Sequence, residues 1–409
     1  MITDRTRHKP TLQQAFAVRG IVAALLALLL TAPSVAEDRS FSSWFKYGSE
    51  IDAAWDVAGD PAKPMIVSVR RKSTLDQLAE KHSVTRRVLV LYPRASSAYD
   101  IAITKILSVF FAKEINVDLT VINFELNQGR GKETLQFAEK NKFDLIFAMG
   151  SESTAWLYDN YRNGTIPVVS VCSKDPVELG QMKDYDNGSQ SNFAFTSLNM
   201  PVEVQLTYVK ELKPGLKNIA ILVDSKNISA VQTQAEPIAA RARKEGISVF
   251  MGTVQNPAKA AEELAQIIPD TVRSMQKNDF DLSKSIFLIT GSTTVFREIR
   301  IINEKAGQVP VVSMIPEIVT AGRDTAVLAV GISFESNAHL AAIYATDILR
   351  GRAESGKLKV GIVSPPDIAV SFLKAREIGL RVPFSLFETA TYVYDYDGQL
   401  VRPSGRKVN

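Results

Sequence analysis

Two stretches of this chain are built to one design. Residues 143–171 read FDLIFAMGSESTAWLYDNYRNGTIPVVSV, and residues 285–314 read SIFLITGSTTVFREIRIINEKAGQVPVVSM. In each, an apolar run ends in a Gly-Ser pair, a hydroxyl-rich turn leads into a helix-like segment, and Pro-Val-Val-Ser closes the unit. Gly150 precedes Pro167 by 17 positions and Gly291 precedes Pro310 by 19. A strand–turn–helix–strand unit that occurs twice predicts two lobes of one fold class, because parallel strands need a crossover between them.

The rest of the chain keeps the same rhythm. From residue 87 the apolar runs 88–92, 117–124, 143–149 and 166–171 alternate with helical spacing over 101–111, 132–140 and 155–161. After a polar loop at 183–192 the alternation resumes, with strands expected at 219–224, 247–252, 327–334 and 360–364 and helices at 202–212, 232–244, 258–275 and 337–349. Near-continuous apolar strands belong to parallel sheets covered on both faces, so the fold class expected is α/β, with two doubly wound lobes and a cleft between them. The run YVYDYDGQLV at 392–401 has an Asp-Gly turn between alternating residues, a hairpin signal.

Residues 1–36 read as a secretory signal: a basic start ending at Arg19, an apolar core GIVAALLALLLTA, and the small-residue exit Pro33-Ser34-Val35-Ala36. The core is shorter than the roughly 20 residues that span a bilayer, so cleavage after Ala36 and a periplasmic location are expected, with an uncleaved anchor as the alternative. Arg5, Arg7, Lys9 and Arg19 against Asp4 account for most of the formal +4, leaving the remainder near neutral. No nucleic-acid partner is expected of such a balance. The single cysteine, Cys172, excludes an intrachain disulfide and a thiol-linked lipid at the cleavage point. Residues 37–85 form an arm with aromatic residues Phe41, Trp44, Phe45 and Tyr47, an edge strand expected near 66–69 and a helix near 73–81. It either packs on the main body or docks a second protein.

Open α/β sheets bind ligands outside the carboxyl ends of their strands. Those ends fall at 92–99, 150–154 and 172–175 in the first lobe, and at 224–227, 291–294 and 314–317 in the second. The candidates there are Ser96, Tyr99, Ser151, Glu152, Ser153, Thr154, Asp175, Asn227, Ser292, Thr293 and Glu317. Where Gly-Ser turns open helices, free backbone N–H groups and hydroxyls face a ligand; the same hydroxyls, taken singly, are ordinary helix caps. Tyr99 could stack on a flat ligand, and Asp175 could meet a cation.

Catalytic and cofactor chemistry finds little footing. His8 lies in the leader, His82 in the arm and His339 in the helix expected at 337–349, which disfavours a Ser/His/Asp arrangement or a His-based metal cluster. Neither Gly129-Arg130-Gly131-Lys132 nor Gly150-Ser151-Glu152 fits a phosphate loop or a nucleophile elbow. No cofactor and no metal are expected, and an enzyme working through Cys172 is the least favoured reading.

The runs 166–180 (IPVVSVCSKDPVELG), 192–200 (NFAFTSLNM), 211–227 (ELKPGLKNIAILVDSKN), 330–351 (VGISFESNAHLAAIYATDILRG) and 367–383 (DIAVSFLKAREIGLRVP) resemble the substrate-binding proteins of ABC transporters. The likeness is greatest to the branch that includes tryptophan and tyrosine uptake proteins, and it covers residues 86–383. It implies a periplasmic-binding-protein type I fold, with lobes at 86–194 plus 335–363 and at 195–334 plus 364–387. Three crossings, at 195–198, 330–334 and 364–369, would join them, and 388–409 would form a C-terminal hairpin tail. It further implies a small-molecule solute, an amino acid or related compound, and a membrane permease as partner. The alternative is a ligand-sensing accessory protein docking on a membrane receptor. The chain departs from the resemblance at Gly291-Ser292-Thr293-Thr294, where amino-acid-binding relatives commonly carry an acidic residue; Glu152, Asp175 or Glu317 could supply it instead.

Overall fold

The structure is a computed structural model, and it describes residues 38–40, 42–72 and 84–402. The leader, the helix expected at 73–81 and His82 lie outside these residues.

Two sheets carry the molecule. In the first, Arg86–Tyr92 is flanked by Val117–Asn123 and Leu145–Met149, followed by Val168–Val171 and Phe193–Ala194, all parallel. Val88 to Tyr92 are all buried. Val88, Val90 and Tyr92 enter the core on one face, while Leu89 and Leu91 enter that on the other. Burial on both faces is why the strand reads as an unbroken apolar run. The second sheet runs Ser248–Val254, Asn218–Asp224, Ser285–Ile289, Val311–Ser313 and Leu328–Gly331 in parallel, then continues through the antiparallel Asp367–Ser371.

Both ends of the described chain extend these sheets. Ile66–Arg71 pairs antiparallel with Val117–Asn123, and Trp55–Gly59 pairs with it in turn. Trp44, Phe45, Tyr47, Ile51 and Trp55 of the arm are buried, and the Gly48 N–H donates to Thr104 Oγ1 at 2.9 Å on the helix Ser97–Ala112. At the other end Tyr392–Tyr394 pairs parallel with Asp367–Ser371 and antiparallel with Leu400–Arg402, so the Asp-Gly hairpin becomes the edge of the second sheet.

Helix boundaries differ from the sequence reading in instructive places. The segment before Lys244 starts at Ile228 and passes through a wide π turn at Val231–Ala235 before Glu236–Lys244. Pro237 lacks the N–H that an α-helical ladder needs, and the wider turn absorbs that gap. The helix expected from 337 begins at Phe334, because Ser333 caps it by accepting from the Ser336 N–H at 3.0 Å.

Three passages connect the lobes. Thr196–Ser197 pairs with Gly361–Ile362, and Leu328–Gly331 leads into the helix Phe334–Leu349, which packs on Ser97–Ala112. Asn337 ties the passages together: its Oδ1 accepts from the Cys172 N–H at 2.7 Å and from Thr196 Oγ1 at 3.1 Å, and its amide donates to the Ser197 carbonyl at 3.1 Å. A buried amide that joins two passages to a strand end fixes their positions relative to one another.

Candidate functional site

The strand ends of the two sheets face one another across a cavity of about 220 Å³. Gly150 opens it on the first lobe. Its φ of +75° is a region glycine enters without strain, and a side chain there would collide with the Tyr99 hydroxyl. Tyr99 is itself wedged by the arm: its ring centroid lies 5.3 Å from that of Tyr92, which packs at 5.7 Å from Trp44 and 6.1 Å from Phe45. Burial pushes the Tyr99 hydroxyl well above the ordinary tyrosine range, so it stays neutral.

Six of the expected site residues are brought together here: Ser96, Tyr99, Ser151, Glu152, Asn227 and Thr293. Glu152 binds Arg94 at 2.5 Å. Burial raises the Glu152 pKa, Arg94 opposes that shift, and Asp224 of the other lobe adds to it. Ser151 works indirectly, its hydroxyl accepting from the Lys174 N–H at 2.9 Å. Asn227 caps the short helix Ile228–Ala230 by accepting from the Ala230 N–H at 3.1 Å.

The other five stand elsewhere. Ser153 is fully buried and donates to the Leu91 carbonyl at 2.9 Å, while Thr154 donates back to the Gly150 carbonyl at 2.8 Å. Ser292 is buried just past the end of Ser285–Ile289, accepting from Thr290 Oγ1 at 3.1 Å. Asp175 turns away from the cavity to cap a turn, accepting from the Val177 and Glu178 N–H groups at 2.8 and 3.1 Å and from the Tyr185 hydroxyl at 3.0 Å. Glu317 stands beside the start of the helix Phe334–Leu349, where Oε1 accepts from the Phe334 N–H at 2.6 Å.

Charged residues that the sequence reading passed over complete the lining: Arg94 and Lys174 from the first lobe, and Asp224, Lys226 and Arg297 from the second. Lys174 is 5% exposed. It rises from the loop after Val168–Val171 and ends against Gly291 of the opposite lobe, where any side chain would collide with its ammonium. The Gly291 N–H is held by Gln234 Oε1 at 2.8 Å. Burial lowers the Lys174 pKa to about 8. Burial also drives the Cys172 thiol far above its ordinary range, which removes the thiolate a nucleophile would need. Among the described residues no cluster of three or more His, Cys, Asp or Glu could hold a metal ion, and His339 lies outside the cavity lining.

A cavity of about 780 Å³ lies at the far edge of the first sheet, between Met65, Ile66 and Phe137. It takes residues from one lobe alone, so relative movement of the lobes cannot act on it. The cavity at the strand ends is smaller, but it draws on both lobes through the loops after Leu145–Met149, Val168–Val171 and Ser285–Ile289.

Comparison with known proteins agrees with this architecture. Residues 111–394 match the family model described as ABC transporter substrate binding protein. Similar folds include a conserved domain protein from Vibrio cholerae O1 biovar El Tor (TM-score 0.59, 19% identity, 76% of this chain and 100% of that one). Another is the ABC domain in complex with L-Trp from Streptococcus pneumoniae (TM-score 0.61, 18% identity, 76% and 100%). A third is a ligand-free, open substrate-binding protein with adhesive properties from Clostridium difficile (TM-score 0.55, 19% identity, 73% and 96%). No curated protein sequence matches the chain.

Proposed function

Because the chain belongs to the ABC transporter substrate-binding protein family, we propose that it captures a small polar solute, an amino acid or related organic molecule, between its two lobes and presents it to a membrane permease. The observation that carries this reading is the meeting of Lys174 from one lobe with Gly291 from the other at the cavity. A solute that bonds to both sides is held fully only when the lobes are together, and that differential affinity drives closure. The role is non-enzymatic, in keeping with the neutral Cys172 thiol. The leader supports export to the periplasm.

A ligand-sensing accessory protein would use the same closure and differ only in its partner. The burial of Trp44, Phe45 and Trp55 in the first lobe weighs against the arm as the docking element.

Thermal-shift screening of the leaderless protein against amino acids and small organic acids tests the reading. A true solute at a hundred times its Kd adds about 2.7 kcal/mol to stability, a rise of several degrees for a chain of this size. A flat response across a panel that also includes sugars and peptides would contradict it.

A further inference from the structure

The charges around the cavity do not balance. Arg94, Lys174, Lys226 and Arg297 face Glu152 and Asp224, four cations against two anions in a chain that is otherwise close to neutral. Arg94 and Glu152 neutralise each other at 2.5 Å. Asp224 accepts from the Lys226 backbone N–H at 2.8 Å. That leaves Lys174, deeply buried, with neither a hydrogen bond nor an ion pair to its ammonium among the described residues. Its ammonium opens on the cavity, where partial loss of water favours an anion beside it.

The walls beside Lys174 add to the demand. The helices Gly150–Tyr161 and Ser97–Ala112 both begin at the cavity, and neither has a side-chain cap on its first turn. Their partial positive ends favour an anion at the same place. Gly291 leaves open the space that the Lys174 ammonium reaches into.

We propose that the solute is a small organic acid of net negative charge, with a carboxylate received by the Lys174 ammonium over Gly291. This rests on the solute-binding reading above and names the chemistry of its ligand. The size of the space agrees: about 220 Å³ is below the roughly 300–1,000 Å³ of pockets for drug-sized ligands. The two rim cations of the second lobe, Lys226 and Arg297, are placed to meet a second acidic group. A neutral zwitterion would answer Lys174 with its carboxylate but bring its ammonium into a site that still carries excess positive charge.

The test is calorimetric titration of the leaderless protein and of Lys174→Met and Lys174→Gln. The probes are C3–C6 mono- and dicarboxylates, glutamate, tryptophan, lysine, glucose and inorganic phosphate. A carboxylate of net negative charge should bind the unmodified protein and lose at least 100-fold in affinity in both variants, whose melting temperatures should stay at or above the parent's. Binding of tryptophan, lysine or glucose in preference, unaffected by either variant, would overturn the inference and leave solute capture standing. Binding of inorganic phosphate alone would overturn the carboxylate assignment. If no probe of any charge bound, the inference and the capture reading would fall together.

Discussion

The Lys174 ammonium of the first lobe reaches the space over Gly291 in the second, so closely that a β-carbon at residue 291 would require the ammonium to move. Gly291→Ala should therefore displace the Lys174 ammonium from this position while leaving each lobe folded. Solute affinity should fall at least tenfold, equivalent to about 1.4 kcal/mol, with little change in the melting temperature of the solute-free protein. In a Lys174→Met background the added methyl should matter much less, since the longer-range charge and reach are gone; titration of the double variant checks the coupling.

The same lysine gives the closed arrangement a signature in pH. Its pKa falls to about 8 through burial, from an ordinary value of 10.5. Between those values the unfolded chain holds a proton that the closed protein has lost, so stability rises with pH over that window and levels off above it. At about 1.4 kcal/mol per unit, the gain is at most a few kcal/mol. Chemical denaturation from pH 7 to 10.5 should show this rise in the unmodified protein and lose it in Lys174→Met. Anion affinity should move the opposite way, weakening as Lys174 discharges.

Glu317 carries the reverse dependence beside the start of the helix Phe334–Leu349. Its Oε2 is enclosed without a hydrogen-bond partner, and burial raises its pKa to about 8 against the pull of the Phe334 N–H. The carboxyl binds its proton more tightly when folded, so its contribution to stability is complete below pH 4.5 and is lost as pH climbs towards 8. Glu317→Gln should match the parent near pH 4.5 and exceed it by up to a few kcal/mol above pH 8. Equal melting curves at high pH would contradict the enclosed carboxylate.

The arm should matter to the site although it never reaches it. Phe45 is fully buried against Tyr92, which in turn packs on Tyr99 beside Gly150. Phe45→Ala should cost about 3–5 kcal/mol in stability. At a temperature where the variant is still folded it should also weaken solute binding, because Tyr99 loses its backing. Denaturant titration and calorimetry together measure both effects.

How much of this was legible in the sequence depended on which force placed each residue. The parallel strands announce themselves, because burial on both faces makes Val88 to Tyr92 uniformly apolar. The glycine turns do as well, since Gly150 answers to a backbone angle and to Tyr99 at once. Hydroxyls were a poorer guide: Ser153 and Thr154 sit at helix positions that turn to main-chain carbonyls, and Ser292 accepts from Thr290 two residues back in its own loop. Asp175, followed by Pro176, is spent on its own turn, a common use of an aspartate before a proline. Lys174 was missed because a lysine in a loop ordinarily faces water. Its burial depends on a second lobe more than a hundred residues away in the chain, and nothing local records that. The glycine that opens the run 291–294 leaves room for a cation from across the cleft.

Closure on a solute is the central claim, and small-angle X-ray scattering of the leaderless protein with and without a saturating ligand found in the titration panel tests it most directly. The account predicts a smaller radius of gyration in the bound state. A bound protein whose scattering is indistinguishable from that of the free one would contradict it.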